Sequence, residues 1–137
     1  MTDEVLADLR QIFSPTTKKE ALNFALRVHH RLSKAEALLV PSVVLAWVTR
    51  PAIMDLIRLT TTTDYMPAEE LHQLELPVRI VCGASDKILP PNSVAYFRKH
   101  LPHAIIEEPQ GMGHCPHQEH PIVTARLIRK FSESLVS

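Results

Sequence analysis

The sequence predicts an α/β chain: a helical first half over residues 1–74, then two parallel strands with flanking helices over residues 75–137. Three observations carry this expectation. Apolar residues recur at helical spacing through the first half. Pro77-Val78-Arg79-Ile80-Val81-Cys82-Gly83 is a nearly continuous apolar run bounded by proline and glycine, which is how a buried parallel strand reads. From there the order is strand, loop, helix, strand, loop, helix, and such alternation implies parallel strands joined by right-handed crossovers.

Taken in order, Leu22, Ala25, Leu26, His29 and Leu32 follow one helical face. Thr17-Lys18-Lys19-Glu20 before them is a capping box, in which the Thr17 hydroxyl accepts from a first-turn amide and Glu20 reaches back. Ser33-Lys34-Ala35-Glu36 repeats the signature and starts a new helix. Pro41 and Pro51 each stand where a helix can begin, since proline is tolerated in the first turn. Ala52 to Ile57 continues as a short helix, and the polar β-branched run Thr60 to Asp64 ends it. Five short helices with this much apolar surface need something to cover.

After the first strand, Gly83 to Pro91 reads as a loop. Val94, Phe97 and Leu101 give one face of a helix stopped by Pro102. His103 to Glu107 is the second strand, and Pro109 to Glu119 is a loop with two glycines. Val123, Leu127, Phe131 and Leu135, at steps of four, mark a last amphipathic helix with Pro121 near its start. Two parallel strands do not make a stable sheet by themselves. The expected completion is either the rest of the sheet, lying outside these residues, or a partner chain.

Composition narrows the function classes. Fifteen basic residues balance fifteen acidic ones, which argues against a nucleic-acid binder working through a basic face. The three glycines, Gly83, Gly111 and Gly113, are too few and too dispersed for a glycine-rich phosphate loop. Cys82 and Cys115 are too few for a disulfide scaffold, so a reduced, cytoplasmic setting is expected. The first residues are acidic where a signal peptide is basic. The most apolar run, Ala37 to Val48, is too short to span a bilayer.

Function in open α/β sheets sits at the carboxyl ends of the strands. Asp86 stands just past the first strand and His114 stands in the equivalent place past the second. Adjacent parallel strands lie ~5 Å apart, so residues at neighbouring strand ends can hydrogen-bond. An Asp that accepts from a His ring nitrogen fixes the tautomer and stabilises the imidazolium, and such a pair is two thirds of a nucleophile–base–acid triad. Blander roles stand beside this one. Asp86 alone would cap the next helix or close a turn with Lys87, and His114 would be a structural histidine beside Cys115. The two together favour the triad pair. The cluster His114-Cys115-Pro116-His117-Gln118-Glu119-His120 has zinc-type ligands, but Pro116 and Pro121 restrict the loop and a structural site needs four ligands suitably placed. Cys82 reads as core. Trp47, Met54, Leu56, Ile57 and Leu59 read as packing, with some of them facing a pocket.

Gly83-Ala84-Ser85-Asp86, Gly113-His114 and Glu119-His120-Pro121, with the strands and the final helix around them, resemble the C-terminal part of an α/β-hydrolase. The likeness is specific over residues 77–131 and architectural before that, where the helical half is similar to the family's cap. It implies Asp86 as triad acid and His114 as general base, in the family's chain order. It implies hydrolysis of a small hydrophobic ester or related substrate through an upstream serine, with no organic cofactor and no metal. The chain departs from the family's pattern: no Gly-x-Ser-x-Gly elbow occurs in it, and the oxyanion-hole loop and the first strands of the core are absent from it too. The isolated chain is therefore expected to be inactive. The competing expectation is a non-catalytic binding or remnant protein that pairs its open sheet edge with a partner chain.

Overall fold

The computed structural model describes residues 2–64, 66–90 and 92–136. It is a mixed α/β chain, mostly helical, with one small two-stranded parallel sheet. The chain divides into two units, one of Met1–Arg27 with Arg31–Tyr65, the other of Val28–His30 with Met66–Ser137.

The first unit carries α1 (Asp3–Ile12), most of α2 (Lys18–Val28), α3 (Lys34–Val48) and α4 (Pro51–Leu59). Both capping boxes form. Glu20 N–H donates to Thr17 Oγ1 at 3.2 Å while Thr17 N–H donates to Glu20 Oε2 at 3.1 Å. The same exchange joins Ser33 and Glu36. Hydrogen bonds from the backbone and side chain of Thr16 and from Thr17 hold the Glu20 carboxyl below its ordinary pKa. The buried face of α2 is Ala21, Ala25 and Val28. Of the expected face only Ala25 is buried: Leu22 is half-buried and Leu26 is exposed. The helix also stops at Val28, so His29 and Leu32 lie beyond it.

Pro51 opens α4 as expected, but Pro41 does not open a helix. It sits inside α3, where a proline removes one backbone hydrogen bond at a cost of about 3 kcal/mol. Pro41 is buried there, and an apolar stretch from Ala37 to Val48 continues the helix on both sides. Leu38, Leu39 and Val43 of α3 are exposed. Among the described residues no single helix is long and apolar enough to cross a membrane; α3 and α4 would do so only together, and they bend by 76° at their junction.

The second unit holds α5 (Ala68–His72), β1 (Arg79–Val81), α6 (Ser93–His100), β2 (Ile105–Glu107), α7 (Pro116–Glu119) and α8 (Pro121–Glu133). The strands pair in parallel, Arg79 against Ile105 and Val81 against Glu107, with α6 in the crossover. Each strand is shorter than its apolar run. Pairing opens with Ile105 N–H donating to Val78 O and closes with Cys82 N–H donating to Glu107 O. Pro77 has no N–H to give, and Ala104 N–H is turned back to Leu101 O at the end of α6. All three residues of β1 are half-buried instead of buried, because one neighbouring strand covers one edge only.

One ion pair ties the sheet together. Arg79 Nε and one terminal nitrogen donate to both oxygens of Glu107 at 3.1 and 3.0 Å, with the Arg79 side chain only 9% exposed. The guanidinium also reaches Leu127 O and lies over the Phe131 ring, joining β1 to α8. Removing the acid leaves a buried, unpaired cation. Glu107→Ala is therefore expected to cost about 2 kcal/mol, read from the urea midpoint. A change under about 0.5 kcal/mol would show that the guanidinium finds another partner.

Two helices depart from expectation. The loop Pro109 to Glu119 ends in α7, one helical turn opened by Pro116. The inward side of α8 is Thr124, Leu127 and Phe131, while Val123 is exposed and Leu135 lies past the helix end. α5 contacts α6 within this unit: His72 Nε2 and His100 Nδ1 lie 3.1 Å apart, and the Tyr96 ring packs against His100 at a tilt of 48°.

Candidate functional site

The two loops at the carboxyl ends of β1 and β2 are laced together before any side chain takes part. Ala84 N–H donates to Pro109 O at 3.1 Å and Ser85 N–H to Met112 O at 2.9 Å. A Cβ on Gly83 would lie 2.2 Å from Gly113 O and 2.3 Å from Met112 O, so glycine is required for the approach. Gly111, at φ 75°, turns the second loop back towards the first.

Asp86 is anchored by the turn it begins. Its N–H donates to Gly83 O, and its Oδ1 accepts from Ile88 N–H at 2.8 Å and Leu89 N–H at 3.1 Å. That leaves Oδ2, which lies 2.9 Å from His114 Nδ1. The turn-closing role and the pairing role thus coexist, one on each oxygen. The Asp86 side chain is 8% exposed and that of His114 is 35% exposed. No described residue hydrogen-bonds His114 Nε2. An Asp that accepts from Nδ1–H leaves the Nε2 lone pair free, and a partly exposed Nε2 can take a proton from a substrate or nucleophile.

Three further groups border this pair, and of them only Glu119 stands in a motif visible in the sequence. The segment Val28–His30 reaches the second loop, where His114 N–H donates to Val28 O at 2.6 Å. His30 Nδ1 lies 2.7 Å from Ser85 Oγ, beside Asp86. The Glu119 carboxylate accepts from Gly113 N–H and from His30 N–H, each at 2.6 Å. Glu119-His120-Pro121 was a visible motif; nothing around His30 marked it, because its partners are 55 and 89 residues away.

The other sequence candidates go elsewhere. Burial, with the Glu119 and Asp86 charges behind it, pushes the Cys115 thiol above its ordinary pKa, so it stays protonated and a weak nucleophile. Cys82 is buried, and desolvation raises its thiol too. Among the described residues no group of three or more His, Cys, Asp or Glu is placed to hold a metal ion. In the histidine-rich loop, His120 Nε2–H instead donates to Gly111 O at 3.1 Å. Within the first unit, Met54 and Ile57 line a cleft of about 480 Å³ with Arg10, Pro51 and Arg58. Trp47, Leu56 and Leu59 are exposed.

Compared with known protein families the chain matches none, and compared with curated proteins it gives no significant match.

Proposed function

We propose that residues 75–137 are the C-terminal part of an α/β-hydrolase core, that residues 1–74 are its helical cap, and that His114 and Asp86 are the base and acid of a triad. One observation carries the reading: the 2.9 Å contact between His114 Nδ1 and Asp86 Oδ2, made by loops that leave the same ends of two adjacent parallel strands. The nucleophile belongs to a segment outside these 137 residues, since no Gly-x-Ser-x-Gly occurs within them.

The chemistry follows from the free Nε2. It takes the proton of the serine hydroxyl as the oxygen attacks an ester carbonyl. Asp86 holds the resulting imidazolium, which returns the proton to the departing alcohol. The acyl group remains on serine. Water then gives its proton to Nε2, attacks the acyl carbon and releases the carboxylic acid, with the proton returned to serine. A small hydrophobic ester is the substrate class, and an Asp nucleophile would shift the reaction to a dehalogenase or epoxide hydrolase type.

The test is to read the DNA upstream of the Met1 codon and express the extended chain. A frame that continues through strands and a nucleophile elbow is expected, giving an esterase that His114→Ala reduces to background while substrate still binds. Unchanged hydrolysis by His114→Ala would overturn the assignment.

A second reading draws on the sheet itself. With two strands among the described residues, β1 and β2 each have one edge that no other described strand pairs, which is a template for a partner chain. A stop codon closing the frame just upstream, together with a stable complex on co-purification, would favour that reading over catalysis.

A further inference from the structure

The carboxylate of Glu119 stands five residues after His114 and accepts two short bonds from backbone amides, Gly113 N–H and His30 N–H. α7 is the reason it can. This single turn, opened by Pro116, brings the Glu119 side chain back over its own loop. Oε2 takes Gly113 N–H, the amide directly before His114, and Oε1 takes His30 N–H. Val28 O takes the His114 amide. Two consecutive amides of the histidine loop are thus fixed, one by Glu119 and one by a segment that Glu119 itself fastens. The same segment extends to the acid: His30, held at its N–H by Glu119, meets Ser85 Oγ at 2.7 Å, and Ser85 is bonded to Asp86 in the chain.

We propose that Glu119 is a positioning residue for His114, setting the backbone from which Nδ1 meets Asp86 Oδ2; this rests on the reading of that pair as base and acid. Bonds from backbone N–H to an ionised carboxylate are roughly twice as strong as neutral ones. Both oxygens are needed. A glutamine has one acceptor oxygen, and its amide nitrogen would point a donor at a backbone donor. An aspartate keeps the charge but is one methylene shorter, so it serves one amide at a time. The packing leaves no slack for the loop to find another seat, since a Cβ on Gly113 would lie 2.4 Å from Val28 O and 2.7 Å from His30 N.

The experiment needs no turnover. The imidazole proton spectrum of the full chain is recorded for wild type, His114→Gln, Glu119→Gln and Glu119→Asp. The wild type is expected to show a low-field Nδ1–H resonance that His114→Gln abolishes. Glu119→Gln is expected to lose that resonance, with the amide spectrum of β1, β2 and α8 unchanged. If Glu119→Gln does not fold, Glu119→Asp is read in its place, with the same loss expected. Retention of the resonance in either folded variant overturns the proposal, as does a Glu119 variant whose Gly113 and His30 amides exchange with water no faster than in wild type. The two readings fail separately. Loss of the resonance in Glu119→Gln beside full activity of His114→Ala in the extended enzyme would leave the positioning role and remove the base.

Discussion

In an enzyme that joins this chain to its nucleophile, Asp86→Asn is expected to lower kcat about 10⁴-fold with little change in KM. The loop geometry dictates which way the amide must face. Oδ1 accepts from two backbone amides, Ile88 N–H and Leu89 N–H, and closes the turn that follows β1. An asparagine keeps its oxygen there, because its NH₂ would set donor against donor at two places. The NH₂ therefore replaces Oδ2 and faces His114 Nδ1 at 2.9 Å. Nδ1 must then accept, the ring proton moves to Nε2, and the nitrogen that should take the nucleophile's proton already carries one. The fold is barely touched, since the turn survives, so stability is expected to change by less than about 1 kcal/mol. Steady-state hydrolysis of a chromogenic ester, alongside a urea melt, separates the two effects. A loss below tenfold would mean that another acid orients the ring.

That the pair meets at all was written in residue types at two strand ends, and the reason is physical. Strand and loop positions follow from short-range patterns: the apolar run Val78 to Cys82, the glycines, and the alternation with helices. Parallel pairing then places equivalent loop residues side by side, so Asp86 and His114 could be brought together from their places at two strand ends, while their roles as acid and base came from the family resemblance. Helix starts were legible for the same reason, because Thr17–Glu20 and Ser33–Glu36 bond within three residues. What was not legible depends on distant packing. Pro41 lies inside α3 because burial outweighs a missing hydrogen bond, and no local signal marks that balance. The inward face of α2 includes a second small residue, Ala21, beside the expected Ala25, and a search for large apolar side chains passes over it. Thr124 faces inward on α8 although its hydroxyl is buried with no partner among the described residues, so polarity there pointed the wrong way. Val28–His30 is drawn to the histidine loop by contacts that span most of the chain, and no periodicity encodes them.

The glycine before the acid is expected to be the most sensitive position of the second unit. Gly83→Ala should destabilise the chain by about 3 kcal/mol and break the Asp86–His114 contact with it. The added Cβ would sit 2.2 Å from Gly113 O, 2.3 Å from Met112 O and 2.6 Å from Met112 C. All three are backbone atoms, so no side chain can swing aside; the two loops must separate. Separation strains the bond from Ser85 N–H to Met112 O and carries Asp86 away from the ring it faces. Gly111→Ala is the control. Its Cβ would meet nothing within 4 Å, but its φ of 75° is a conformation that alanine adopts only with strain. That strain should cost about 1 kcal/mol while the loops stay in contact. Urea midpoints for the two variants, read with the His114 Nδ1–H resonance, distinguish close approach from backbone strain. Should Gly83→Ala lose no more stability than Gly111→Ala and keep the resonance, the loops tolerate a side chain between them. The glycine of the first loop would then be there for some reason other than bringing acid and base together.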